Sequence, residues 1–420
     1  MYQLDHSDRQ LAARAKSILL ATVFAVVVLL AWLGLPLETP YIGYGLASAF
    51  VFHVAVRPRR SEIFAVVLTA TGLILIDAAV RHGMKFEFHP GMGFAMLGLV
   101  SFALLAYKAF WAEAAELAQL KSILIPAAAF AFFILASQSS LNLAGLLFPR
   151  TMDMYAYAFD GSLGFQPSFL LGQLFQASPA IDALGHLTYY GLPIAMALVY
   201  AGHLKRQVSA PLFIIEVFMA AGLFGYFLYL AFPAAGPAYL VGLSFPGSPL
   251  PLSTLRQLRL QTIPLPWQIS RNAMPSLHMT WALLVWINCR RFAAWIRKLA
   301  LLFVFITIFD TLGTGEHYLI DLVVAIPFAI AIQSLCECLH EATLQPRFQL
   351  LIGSSFLVAA WLLALRFAMP LFLLTPVLPW LCVMGTIAIT GCWIWSMTQK
   401  NDAVEAVPGL SRAAAAGFQP

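Results

Sequence analysis

The chain has 420 residues, of which 61% are hydrophobic and only 10% are charged. A soluble domain carries about 25% charged residues, so this composition excludes a water-soluble globule and predicts an all-α, polytopic transmembrane bundle. The net charge of +5 does not indicate a nucleic-acid partner, because the 24 basic residues are scattered between apolar runs instead of forming one basic face.

Apolar runs separated by charged or proline-rich breaks predict about twelve spans, since a bilayer core requires about 20 apolar residues per helix. The first run follows Arg9, Arg14 and Lys16 and is too long for the apolar part of a signal peptide, so it is predicted to be a retained span. The predicted spans lie near residues 17–35, 41–56, 62–80, 91–110, 122–140, 179–201, 211–232, 275–289, 299–314, 317–335, 348–369 and 376–396. The 41–56 and 275–289 runs are short enough to be tilted or partly re-entrant.

The distribution of basic residues predicts the orientation of the chain in the membrane. If the spans alternate in direction, 17 of the 24 Lys and Arg residues fall on the side of the two termini. The positive-inside rule then places both termini in the cytoplasm. We therefore expect an integral protein of a bacterial inner (plasma) membrane, with its other face towards the periplasm or an equivalent lumen.

Two segments on the non-cytoplasmic side are long. Residues 141–178 contain Asp160 in a glycine-rich stretch that is predicted to be a loop, and residues 233–274 contain seven prolines. Proline at this density prevents a continuous helix, so the second segment is predicted to form an irregular cap over the outer face. The five cysteines lack the spacing of metal ligands, and no metal site is predicted.

Histidine and aspartate side chains within apolar helices are functional candidates by default, because their burial in lipid costs free energy. The strongest pair is His317 and Asp321, at the outer end of the tenth predicted span. Their four-residue spacing predicts that both lie on one helix face, where the carboxylate accepts the proton of one ring nitrogen and leaves the other as a nucleophile. The alternative is a structural hydrogen bond that only satisfies a buried histidine.

A second histidine, His278, begins the eighth predicted span on the same side of the membrane. Pro275 suits the first turn of a helix, and the N–H groups of Ser276 and Leu277 would then point from the helix N-terminus towards an anion. Arg271 lies just upstream, and its planar guanidinium is predicted to bind phosphate oxygens.

These residues form two ordered motifs, Pro275-Ser-Leu-His278 and His317-Tyr-Leu-Ile-Asp321, preceded by Phe232-Pro-Ala-Ala-Gly-Pro-Ala-Tyr239. With them the chain resembles the type 2 phosphatidic acid phosphatase superfamily, and more closely its inositol phosphorylceramide synthase (inositolphosphotransferase) branch. The resemblance covers residues 122–335, roughly half of the chain.

The resemblance implies a six-helix catalytic core and a phosphohistidine mechanism. His317 would be the nucleophile, Asp321 its orienting partner, and His278 the general acid that protonates the leaving group and later acts as a base. No metal or other cofactor is implied, because arginine and helix-terminal N–H groups would meet the transition-state charge. The implied partners are a phospholipid donor and a lipid hydroxyl or water as acceptor, among the surrounding membrane lipids.

The chain departs from the hydrolytic members of this superfamily. Leu277 stands where they have glycine, Thr311 stands where they have an arginine, and residues 232–239 lack their Lys and Arg-Pro motif. These departures favour lipid phosphotransfer over hydrolysis, although both stay open, and they leave Arg271 as the substitute positive charge.

Five further residues are candidates for a supporting role. Asp182 and His186 repeat the four-residue spacing, for which structural pairing is the preferred interpretation. Asp310 either lines the site or bonds to a neighbouring helix. Asp160 lies in a segment that resembles the one preceding the catalytic helices of the branch, and Tyr318 belongs to the second motif.

The predicted organisation is accessory transmembrane helices over 1–121, a catalytic membrane domain over 122–335, C-terminal transmembrane helices over 336–398 and a disordered cytoplasmic tail over 399–420. Two alternatives to an enzyme are a non-catalytic lipid or solute transporter and an inactive relative serving as a scaffold. The absence of inverted repeats and the clustering of polar residues at one surface count against a transporter. The missing basic motifs are compatible with an inactive scaffold. The sequence determines neither the oligomeric state nor the identity of the donor and acceptor lipids.

Overall fold

The computed structural model describes residues 40–80, 90–206, 212–340 and 345–405. These residues are mostly helical, with almost no strand, which confirms the all-α fold class. The predicted span 17–35 lies outside the described residues. Most of the tail predicted to be disordered also lies outside them, and its first residues, up to Glu405, continue the last helix.

The helices, in chain order, are α1 Pro40–Leu46, α2 Ser48–Ala55, α3 Arg60–Val80, α4 Pro90–Trp111, α5 Ala114–Leu147, α6 Asp153–Ser162, α7 Pro167–Ala177, α8 Pro179–Lys205, α9 Phe213–Ala231, α10 Pro237–Val241, α11 Leu252–Leu255, α12 Leu277–Asn288, α13 Ala294–Gly313, α14 Leu319–His340, α15 Gln345–Phe367, α16 Met369–Leu374 and α17 Val377–Glu405. Two short strands, β1 Arg150–Thr151 and β2 Ile263–Pro264, pair antiparallel, with Thr151 opposite Ile263.

Seven helices in the described part of the chain are long and apolar enough to cross a membrane, namely α3, α4, α5, α9, α14, α15 and α17. Their length and composition are those of an integral membrane protein. The expected count of about twelve spans and the six-helix core are not confirmed. Helix α12 has 12 residues, which gives a length of about 18 Å against a hydrocarbon core of about 30 Å. The run 41–56 is divided between α1 and α2.

The segment 141–178 is mostly helical, in contrast to the predicted loop. Helix α5 continues to Leu147, and α6 and α7 follow after a short break. Asp160 therefore lies in a helix and not in a loop. Residues 156–163 are all buried, so packing outweighs the low helix propensity of Gly161. The proline-rich segment 233–274 is irregular as expected, since its helices have at most five residues.

Contacts divide the chain into two compact units. The first contains the described residues of Met1–Ser139 and Tyr190–Ile215, and the second contains those of Ser140–Tyr189 and Glu216–Pro420. The boundaries predicted from the sequence, at residues 121, 335 and 398, do not coincide with this division and stay predictions.

Helix α14 is the most deeply buried span of the second unit. In its segment Leu319–His340, 83% of the most apolar window is buried, against at most 44% in the other six spans. Its polar side chains are paired inside the protein: Gln333 accepts a hydrogen bond from Asn288 and donates one to Glu337, both at 2.9 Å. This central position places the residues just before α14, including His317, in the protein interior.

In the first unit, glycines bring α1 and α4 into close contact. A Cβ atom at Gly98 would collide with the carbonyl oxygen of Leu46, and one at Gly43 would collide with that of Gly91. Small residues that let helix backbones approach are typical of helix packing in membranes.

We predict that Gly98→Ala destabilises the protein, because the added methyl group meets backbone that cannot rotate away. The expected loss is about 1–3 kcal/mol, which lowers the thermal unfolding midpoint of the purified protein in detergent by several degrees. Gly72→Ala is the matched control, since a Cβ at Gly72 meets nothing within 4 Å and alanine is the better helix former. Equal midpoints for the two variants would contradict the close approach.

Candidate functional site

His317 lies in the loop 314–318, between the end of α13 and the start of α14. Its main-chain N–H donates to Thr311 O at 3.1 Å, and its ring Nδ1 lies 2.9 Å from Ala273 O. The nearest carboxylate oxygen of Asp321 is 3.5 Å from Nδ1, and the same oxygen accepts a hydrogen bond from the Tyr318 N–H at 2.7 Å. The structure therefore brings His317 and Asp321 together, as expected, but through a different geometry.

The expectation of a shared helix face is wrong, because α14 begins at Leu319 and His317 precedes it. The hydrogen-bond partner of the imidazole is the carbonyl of Ala273, and the Asp321 carboxylate is engaged by the loop backbone. Asp321 thus acts on His317 mainly by fixing the loop, and its nearest carboxylate oxygen lies 3.5 Å from the ring.

The contact with Ala273 determines which ring nitrogen of His317 carries the proton. A carbonyl oxygen can only accept a hydrogen bond, so Nδ1 must be the donor and Nε2 retains its lone pair. The imidazole is almost completely buried, and this burial lowers the pKa of His317 to about 4. The ring is therefore neutral at physiological pH, which is the form that a nucleophile requires.

His278 lies in the first turn of α12, next to His317. The centroids of the two imidazole rings are 6.3 Å apart, and His278 stacks on Tyr189 at a centroid distance of 3.7 Å. Trp281 also approaches the His278 ring edge-on, at a centroid distance of 6.5 Å. Two motifs that are about forty residues apart in the sequence thus meet in one buried place, with the His278 ring held by an aromatic stack.

The N-terminus of α12 differs in detail from the expectation. Pro275 lies outside the first turn, since Ser276 is the N-cap and its Oγ accepts a hydrogen bond from Met279 N. The Ser276 N–H donates to the main-chain oxygen of Asp321 at 3.2 Å. It therefore joins α12 to the start of α14 in this structure, and anion binding by the Ser276 and Leu277 amides stays a prediction.

Arg271 is completely buried and holds the loop backbone. Its guanidinium donates hydrogen bonds to four carbonyl oxygens, those of Phe148, Leu265, Pro266 and Ile269, at 2.6–3.3 Å. These bonds fix the chain two residues before Ala273, whose carbonyl orients His317. Four of its five N–H donors are used in this way, and the phosphate-binding role of Arg271 stays a prediction.

Asp160 binds the N-terminus of α14 from the neighbouring helix α6. Its carboxylate accepts hydrogen bonds from Leu319 N at 2.7 Å and Ile320 N at 3.2 Å. Terminal N–H groups of a helix favour a negative charge, but burial opposes it and raises the pKa of Asp160 to about 8. Asp160 therefore supports the site by fixing the start of α14 and does not contact His317.

Asp153 is the first of two residues of this site that sequence reasoning missed. Its buried carboxylate accepts hydrogen bonds from Ala235 N, from Gly236 N at 2.8 Å and from the Tyr318 hydroxyl at 3.0 Å. It joins the start of α6, the proline-rich segment and the residue after His317. The available signal was an isolated aspartate in an uncharged stretch, but nothing in the sequence identified its partners.

Glu316, which immediately precedes His317, is a second missed residue. Its Oε1 accepts a hydrogen bond from the Tyr239 hydroxyl at 3.0 Å, and burial raises its pKa. Tyr239 ends the segment 232–239, so that segment contacts the loop of His317 directly. Gly236 in the same segment has φ 114°, a conformation that favours glycine.

The remaining candidates lie on α8 and α13. Asp182 and His186 pair at 3.3 Å on α8 and are both about half exposed, which agrees with structural pairing. Asp310 is completely buried on α13, packs against Gly185, and has no hydrogen-bond partner for its carboxylate among the described residues.

Fold and site together define a polytopic helical membrane protein with a buried pair of histidines on adjoining elements. Residues 155–335, less than half of the chain, match the family model of the PAP2 superfamily. No curated protein and no solved structure gives a match. The family match confirms the resemblance to the superfamily over this region, whereas nothing points to the inositol phosphorylceramide synthase branch.

We predict that Asp153→Ala destabilises the protein more than Tyr318→Phe. The first variant leaves two buried amides and one hydroxyl without their acceptor, and each such loss costs about 1–3 kcal/mol. The second removes one hydrogen bond and costs about 1 kcal/mol. Thermal unfolding in detergent should rank native, Tyr318→Phe and Asp153→Ala in descending order, and an Asp153→Ala midpoint at or above that of Tyr318→Phe would contradict the shared role of this carboxylate.

Asp160 gives a prediction for the pH dependence of stability. Its pKa is about 8 in the folded protein and about 3.9 in an unfolded chain, so its contribution is fully present below about pH 4 and is lost as pH rises through 8. The unfolding midpoint of the native protein, measured relative to that of Asp160→Asn, should therefore fall between pH 5 and 8 and level off above. Parallel pH curves for the two proteins would show that Asp160 is ionised in the folded state.

Proposed function

We propose that this protein is an integral membrane enzyme that transfers a phosphoryl group or a phospho-headgroup from a phospholipid to a lipid hydroxyl or to water. The observation that carries the proposal is the hydrogen bond from His317 Nδ1 to Ala273 O, which leaves Nε2 unprotonated in a ring 6.3 Å from that of His278. The PAP2 superfamily match over 155–335 supports a phosphatase or phosphotransferase activity.

In the first proposed step, Nε2 of His317 attacks the phosphorus of the lipid phosphate. The bond between phosphorus and the leaving oxygen breaks, and His278 gives its proton to that oxygen. The product is a phosphohistidine with one P–N bond. Because Nδ1 keeps its hydrogen bond to Ala273, the positive charge that develops on the imidazole is met by the carbonyl dipole and by the nearby carboxylate of Asp321.

In the second proposed step, the acceptor hydroxyl attacks the phosphorus while His278 takes its proton. The P–N bond breaks and His317 returns to its neutral form, so atoms and charges balance over the cycle. A lipid hydroxyl as acceptor gives a transferase, and water gives a phosphatase. Transfer of an inositol-phosphate headgroup to a sphingolipid is the finer version of this proposal, and it is supported only by the resemblance of the motifs.

The surrounding residues are proposed to position the two histidines. Asp321 and Asp160 hold the loop and the start of α14, Tyr318 joins the loop to α6, and Arg271 holds the chain before Ala273. The leading N–H groups of α12, at Leu277, are proposed to face the phosphate. We also propose that the site faces the periplasm or an equivalent lumen, on the side with fewer basic residues.

The test uses purified protein and phospholipids labelled in the phosphate, with diacylglycerol, ceramide or no acceptor added. The native protein should release or transfer label and carry it transiently as an acid-labile adduct, whereas His317→Ala should lose both by at least about a thousandfold, as expected when a covalent nucleophile is removed. Added lipid acceptors distinguish transfer from hydrolysis.

His340→Ala is the matched control, since His340 is also a histidine of this region but lies at the far end of α14, paired with Glu216. It should retain activity. Equal turnover in native protein and His317→Ala would contradict the assignment of the nucleophile. Absence of turnover over a broad lipid panel would favour the transporter or scaffold alternative.

A further inference from the structure

A groove of about 660 Å³ lies in the second unit, apart from the histidine pair. Its walls come from α6, the chain after α11, the end of α15, and α16. Arg256 and Arg366, which are 110 positions apart in the sequence, both line it, and the other lining residues are Tyr155 and apolar side chains such as Leu258, Phe367 and Leu373. Neither His278 nor His317 is among the lining residues.

Arg256 is held in the groove by the end of α16. Its Nε donates to Leu373 O at 2.7 Å and its Nη2 donates to Leu374 O at 3.1 Å. These carbonyls are the unsatisfied acceptors at a helix C-terminus. The bonds fix the direction of the guanidinium and leave Nη1 for another acceptor, so less conformational entropy is lost when an anion binds.

Arg366 supplies the second positive charge, and its guanidinium forms no hydrogen bond or ion pair among the described residues. It is exposed, and its guanidinium carbon lies 5.6 Å from the centroid of the Phe367 ring. Among the residues that the structure describes, no carboxylate forms an ion pair with Arg256 or Arg366. Two guanidinium groups at the edge of an apolar groove are therefore available to an anion from outside the described chain.

The apolar wall of the groove favours an amphiphilic anion over a small inorganic one. Phe367 and Leu374 are both 71% exposed and flank the arginines. A free phosphate ion would gain nothing from these surfaces, whereas an amphiphile would place acyl chains against them and its phosphate between the planar guanidinium forks. Both arginines also belong to the minority of basic residues on the side predicted to be non-cytoplasmic.

We propose that this groove is a binding site for an anionic phospholipid of the non-cytoplasmic leaflet, distinct from the proposed catalytic site. The phosphate lies between Arg256 and Arg366, and the acyl chains lie over Phe367 and Leu374. The proposal does not rest on the phosphotransferase activity, because it uses no residue of the histidine pair.

The test measures equilibrium binding of short-chain phosphatidylglycerol to the purified full-length protein in detergent. Arg366→Gln should weaken binding at least about tenfold, since one charge-assisted contact is worth about 1.4 kcal/mol or more. The variant should fold normally, because Arg366 makes no hydrogen bond within the described chain. Arg259→Gln is the matched control: this neighbouring exposed arginine does not line the groove, and its variant should bind like the native protein.

Two further binding measurements distinguish a lipid site from a phosphate site, and this groove from the proposed catalytic site. An excess of inorganic phosphate should leave lipid binding unchanged, and displacement by phosphate alone would overturn the assignment to a lipid. Phosphatidylglycerol should still bind to His317→Ala, so this result and the activity assay can fail independently. Equal affinity of native protein and Arg366→Gln, or loss of binding in His317→Ala, would overturn the proposal of a separate site.

Discussion

Asp153, Asp160 and Asp321 each place a buried carboxylate against main-chain N–H groups on or beside the loop that carries His317. Together they accept hydrogen bonds from Tyr318, Leu319 and Ile320, and Asp153 also binds the segment 232–239. Such bonds are strong in a low-dielectric interior, and a carboxylate left there without them would be costly. The loop before α14 is therefore fixed from three directions, and the position of His317 follows from it.

The same arrangement explains why Asp321 is not the main hydrogen-bond partner of the histidine that it supports. The Asp321 carboxylate accepts a hydrogen bond of 2.7 Å from the Tyr318 amide, whereas its distance to the imidazole is 3.5 Å. Ala273, held by the chain that Arg271 fixes, takes over the orientation of the ring through its carbonyl oxygen. A carbonyl cannot exchange a proton with Nδ1, so this partner determines the tautomer more firmly than a titratable carboxylate would.

The sequence was sufficient to predict what depends on composition and local spacing. It predicted the helical membrane class, the irregular proline-rich segment, and the pairing of two histidine motifs. It could not predict what depends on long-range backbone contacts, such as the role of Asp153, because a carbonyl or amide partner has no signature in the side-chain pattern. The helix at Asp160 was missed for a similar reason, since burial of residues 156–163 outweighs the glycine-rich composition.

Arginine illustrates the limit of sequence reasoning about phosphate sites. A guanidinium binds a ligand most readily with donors that the fold does not already use, and Arg271, the arginine nearest to the motifs in sequence, gives four of its five N–H groups to loop carbonyls. Arg366 lies outside every motif and keeps its donors available. If phosphate binds beside His317 while Arg271 keeps its four carbonyl bonds, its charge would be met by the remaining Nη1 donor of Arg271, by the leading amides of α12 and by a proton on His278, so charge compensation there would depend on the protonation state of His278.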